Sequence, residues 1–169
     1  MAKTVLEMLE IGVTRKLNAG MLSINGGQLE EITVADFNSA EELVNAITGH
    51  AETRPKMPCG LLSIPSEVIN NSTNPAGPIQ RINTTLTYRF ACVSGTRAGL
   101  HDRKIFAYRC RDATLLALAQ QQFQPGEWSP LEAFDYILIQ DAAVVSLPEF
   151  VAWVVTFSVQ IRGLCLEVA

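Results

Sequence analysis

From Phe150 to Arg162 apolar and polar residues alternate. Val151, Trp153, Val155, Phe157, Val159 and Ile161 fall on one side, and Ala152, Val154, Thr156, Ser158, Gln160 and Arg162 on the other. A period of two is that of a β-strand with one dry and one wet face. Arg81 to Val93 repeats the pattern, with Ile82, Thr84, Leu86, Tyr88, Phe90 and Cys92 opposite Arg81, Asn83, Thr85, Thr87 and Arg89. Burying the large apolar residues of the last strand, at about 1.5–3 kcal/mol each, gives on the order of 10 kcal/mol gross. Ordering the chain cancels most of that, so the strand is worth forming only inside a sheet.

Helical spacing marks three further segments. Val5, Leu6, Leu9, Val13 and Leu17 share a face of an opening helix over 2–18, with Gly20 as its stop. Asn38 or Ser39 caps a short helix ending at Gly49, with Glu41 and Glu42 favouring its dipole. Asp102 can cap a long helix to about Gln122, whose apolar side is read as Ile105, Tyr108, Leu115, Leu116, Ala119 and Phe123. Met21 to Ile24 and Glu31 to Val34 flank Asn25-Gly26-Gly27, a hairpin signal. Cys59 to Ile64, between Pro58 and Pro65, and Ala133 to Val145 read as further strands. Two stretches rich in turn formers, Gly49 to Pro58 and Ser66 to Pro78, read as loops. The order predicts one α+β domain over residues 1–169: a mostly antiparallel or mixed sheet of about four to six strands, helices on one face.

Composition narrows the function. The chain has 169 residues, 48% hydrophobic and 18% charged, enough for a single core with a slight apolar surplus for a partner to cover. A net charge of -4 argues against gripping duplex DNA, which takes clustered positive charge. Residues 1–16 carry charges throughout and no run approaches the roughly 20 apolar residues of a membrane span, so the expectation is a protein made in the cytoplasm, without membrane contact. The four cysteines show no CxxC pairing and no zinc-type histidine spacing; reduced, buried thiols are expected.

Little chemistry is visible. There is no nucleophile elbow, P-loop, dinucleotide fingerprint or HExxH, and Gly95-Thr96-Arg97-Ala98-Gly99 lacks the lysine of a phosphate loop. Asp135 and Asp141 on one strand would stand roughly 20 Å apart, too far to share a site. Cys59 is the one conceivable nucleophile, of a thiol-dependent hydrolase, with His50 or His101 as base. No catalytic, cofactor or metal residue is assigned, and the expectation is a non-enzyme; a small-molecule binding module is a further alternative. Candidate contact residues are the loop positions Arg54, Lys56, Asn70, Asn71 and Asn74, together with Arg97, Arg103 and Lys104, part of a basic group that also holds Arg109 and Arg111. Trp128, in a Pro-Gly-Glu-Trp-Ser-Pro loop, is a candidate anchor.

The second half runs from a helix rich in small residues and leucine, Ala113-Thr114-Leu115-Leu116-Ala117-Leu118-Ala119, through a strand to a final alternating strand ending Phe157-Ser158-Val159-Gln160-Ile161-Arg162. With the opening helix and the strand before the long helix, this layout resembles the tail-terminator proteins of contractile-tailed, Mu-like bacteriophages. The resemblance implies a virion assembly protein at the head-proximal end of the tail. There it would form a homo-oligomeric ring, a hexamer, that caps tail tube and sheath subunits and offers a platform to head-completion and neck proteins. DNA would pass through the lumen without specific binding. Another head–tail connector or neck subunit is the alternative.

Overall fold

The computed structural model describes residues 7, 9–17, 32–34, 37, 39–48, 59–73, 79–94, 100–119, 134–148 and 150–167. Residues 9–17 are helical (α1). There follow β1 (Ile32–Val34), α2 (Ala40–Thr48), β2 (Cys59–Leu62), β3 (Ser66–Thr73), β4 (Ile79–Ser94), α3 (Leu100–Ala119), β5 (Phe134–Ser146) and β6 (Val151–Glu167). The six strands form one sheet in the order β1, β2, β4, β6, β5, with β3 also paired to β4. Every pairing is antiparallel except β1 with β2. This is the α+β class, sheet type and strand number that the patterning predicts.

The two alternating strands lie side by side. β4 pairs β6 from Ile79 opposite Glu167 to Ser94 opposite Val151, which stacks their apolar sets on the same face. Leu86, Tyr88 and Phe90 face Val159, Phe157 and Val155, all buried. The Tyr88 and Phe157 rings stack with centroids 5.5 Å apart. Leu9, Val13 and Leu17 of α1 and Cys110, Ala113 and Leu118 of α3 close over this layer.

α2 departs from the expectation of helices on one face. Its Leu43 and Ile47 pack, with Phe37 and Phe150, on Ala91, Val93 and Ala152, which are the opposite parity of β4 and β6. The reason lies in the strand ends: Ala91, Val93 and Ala152 break the polar alternation, leaving an apolar patch that needs cover. Ser39 caps α2 as expected, its Oγ accepting from the Glu42 N–H at 3.1 Å.

Two other expectations are corrected. Ser66 to Pro78 is no simple loop, because Ser66–Thr73 forms β3 along β4. Asparagine and serine are poor strand formers, but backbone pairing to a long neighbour outweighs propensity at an edge. Together β2 and β3 make one interrupted strand beside β4. Leu62 lies opposite Phe90 and Ser66 opposite Thr87, so the segment containing Pro65 holds one extra residue, a bulge. Ser63 spans the break: its N–H donates to the Arg89 carbonyl, and its Oγ accepts the Arg89 N–H, both at 2.8 Å. The hairpin read at Asn25 to Gly27 lies outside the described residues; β1 takes its partner from β2, in parallel.

The second correction is the buried side of α3. Ala107, Cys110, Ala113, Thr114, Ala117 and Leu118 face the sheet, while Ile105, Tyr108 and Leu116 are exposed. The sheet beneath is filled with Tyr88, Phe90 and Phe157, so the helix approaches through its small residues, and large ones would overfill the layer. Buried Thr114 meets its own need by donating to the Cys110 carbonyl at 2.8 Å.

The Tyr88 hydroxyl is buried without a hydrogen-bond partner among the described residues. Tyr88→Phe therefore leaves stability unchanged or raises it by up to about 1 kcal/mol, since no bond is lost and an unpaired polar group is removed. Phe157→Ala, by contrast, costs about 3–5 kcal/mol. Urea unfolding of the two variants checks both.

Candidate assembly surface

Exposed large apolar side chains gather in three places. Ile64, Val68 and Ile69 mark the β3 edge; Ile105, Tyr108 and Leu116 the outer side of α3; and Leu138, Ile139 and Val144 mark β5. Val68 and Ile69, adjacent on β3, are 59% and 60% exposed, and Leu116 on α3 is 63% exposed. β3 and β5 are edge strands on opposite sides of β4 and β6, each paired on one side only among the described strands.

The α3 and β5 surfaces join. Tyr108 lies against Trp153, with centroids 6.2 Å apart, and Trp153 stands opposite Val144 in the β5–β6 ladder. The Arg111 guanidinium sits 5.5 Å over the Trp153 ring and pairs with Asp112 at 2.6 Å. Arg111 is thus committed to its own chain, whereas Lys104 and Arg109 point outward from α3. Trp153 belongs to the inward set of β6 as expected, but it is only half-buried. Its Nε1–H and the Arg111 Nε–H are buried and find no acceptor among the described residues.

Of the predicted contact residues, Lys104 is exposed on α3, and Arg103 lies one residue before it on the same helix. Asn70 and Asn71 belong to β3, where a register shift between Ile69 and Asn71 leaves Asn70 as a bulge. Arg54, Lys56, Asn74, Arg97 and Trp128 lie outside the described residues, as does His50. The sequence reading passed over Val68, Ile69 and Val144. Their signal is visible in two short β-branched runs, Val68-Ile69 and Val144-Val145, the first of them set in an asparagine-rich stretch.

Cys59, Cys92 and Cys110 are buried free thiols, as expected. Burial pushes the Cys59 thiol up from 9.0 to about 12, and burial likewise raises Cys92, next to Cys110. A thiol so placed is protonated at neutral pH, the reverse of an activated nucleophile. Among the described residues no three of His, Cys, Asp and Glu gather as a metal cluster, and no helix is long and apolar enough to cross a membrane.

Native Cys59 is expected to resist a thiol reagent between pH 7 and 9, where a free cysteine becomes steadily more reactive; peptide mapping of the labelled chain reads this. Because the folded state holds this proton more tightly than the unfolded chain, the contribution to stability is complete below 9.0. It falls as pH rises from there towards about 12.

No family model matches the chain. No curated protein matches it either. Among solved structures, the fold is similar to that of a chain from the virion of a native gene transfer agent particle. The TM-score is 0.52 at 14% identity, covering 96% of this chain and 100% of that one.

Proposed function

We propose that this protein is a structural component of a phage-like virion, acting as a tail terminator. Copies close into a hexameric ring that caps the tail tube and sheath, halts their growth and presents a platform to head-completion proteins. The observation that carries the reading is the end-to-end correspondence with a virion chain. With 96% and 100% of the two chains covered, the shared fold spans nearly all of both and is not confined to a small part of either. Three apolar surfaces at sheet edges and on one helix agree with a subunit that is finished by its neighbours. The negative net charge of -4 suits a ring through which DNA slides without adhering. In this reading the protein acts by shape and association and catalyses nothing.

Electron microscopy of particles assembled without the protein tests the proposal. Tails of uncontrolled, excessive length are expected. Tails of normal length that fail to join heads would move the protein to a neck position instead. Normal, head-joined tails would remove it from the virion altogether.

A further inference from the structure

Of the open edges among the described strands, those of β3 and β5 match one another. β3 is antiparallel to β4, β4 to β6 and β6 to β5, so β3 and β5 run in opposite directions. A second copy placed head to tail in the same orientation therefore brings its β3 alongside β5 as an antiparallel neighbour, and the alternation continues across the boundary.

The side chains match as well. Ile69 stands opposite Thr84 and Val68 opposite Thr85, which places Ile69 on the face covered by α3 and Val68 on the other. On β5, Ile139 and Leu138 stand opposite Phe157 and Ser158, so they divide between the same two faces. Each edge thus exposes apolar side chains on both faces, and a continued sheet sets apolar beside apolar on each. Edge strands of soluble proteins are usually guarded by charged residues, lysine above all, or by proline; Ser66–Thr73 and Phe134–Ser146 contain no lysine or proline, and their charges are Glu67, Asp135 and Asp141. Charge follows suit. Glu67, opposite Leu86, lies on the α3 face of the β3 edge, and α3 exposes Lys104 and Arg109 on that face.

We propose that copies of this chain join head to tail by adding β3 of one to β5 of the next, with the neighbour's β3 flank lying beside the outer side of α3. Such an interface uses two different surfaces, so it does not end at a dimer; repeated about an axis it closes into a ring. This inference rests on the ring-forming reading above and supplies its contact.

Because the two halves differ, each can be disabled alone. Ile69→Arg spoils the β3 edge and Val144→Arg the β5 edge; both residues are exposed, so thermal unfolding of the variants should match that of the wild type. Sedimentation velocity of the full chain is expected to show oligomers for the wild type and monomers for each variant. Mixing the two variants restores one intact pair of surfaces and is expected to yield dimers and nothing larger. Val68→Lys, on the other face of β3, should repeat the Ile69→Arg result and serves in its place if that variant unfolds. A wild-type chain that stays monomeric at high micromolar concentration, variants that assemble like the wild type, or a mixture that stays monomeric would each overturn the proposal. These outcomes are separate from tail length in particles lacking the protein: failure of the mixing test leaves a role in the virion standing, and a chain that passes it is still tested independently by the particles.

Discussion

Everything in this fold hangs on the ladder between β4 and β6. It runs almost the full length of both strands, and its pairing sets Tyr88 against Phe157 and Phe90 against Val155. Because side chains alternate, a slip of one residue would send the aromatic layer to the polar side and Thr85, Thr87 and Ser158 into the core. The register is therefore held by the burial it produces. Once it is fixed, the apolar stretch at Ala91, Val93 and Ala152 determines where α2 settles, and the aromatic layer determines that α3 must approach through alanines.

The edges obey a looser rule. β3 adds backbone bonds to β4 but contributes little to the core: Glu67, Val68 and Ile69 are all exposed. Its attachment leans on polar contacts. The Thr84 hydroxyl, buried on the α3 face, donates to Glu67 Oε1 at 2.8 Å, with the Val68 carbonyl as a second acceptor at 3.2 Å. A strand attached in this way leaves Val68 and Ile69 available for other contacts.

This division explains which parts were legible in the sequence. The central strands, α2 with its Ser39 cap, and the inward face of α1 at Leu9, Val13 and Leu17 could be read directly, because burial had shaped their residue pattern. β3 could not, since pairing to β4 imposes no hydrophobic period on an edge, and Asn70, Asn71 and the nearby turn formers look like a loop. The inward side of α3 was legible only in part: Leu115 packs against the core as the spacing predicts, whereas Ile105, Tyr108 and Leu116 are exposed. Hydrophobicity ranks Ile105, Tyr108 and Leu116 above Ala107, Ala113 and Ala117, yet the depth available over Tyr88 and Phe157 favours the smaller set. The candidate surface is a separate matter: the cations and loop asparagines stand out in the sequence, whereas the exposure of β-branched residues on strand edges shows only once the strands are paired.

The misreading of α3 carries meaning of its own. α3 buries Leu118, Cys110 and three alanines and packs Phe106 and Leu115 against the core, while Ile105, Tyr108 and Leu116 give up burial they could supply. The arrangement is consistent if another surface completes the burial. Tyr108 already rests on half-buried Trp153, and the Nε1–H of that indole still lacks an acceptor among the described residues. An aromatic pair with Arg111 stacked on it has the composition found at the centres of protein interfaces, where tyrosine, tryptophan and arginine are enriched. The same packing that seals the core beneath α3 thus leaves Ile105, Tyr108 and Leu116 on its outer side, where the proposed assembly would cover them.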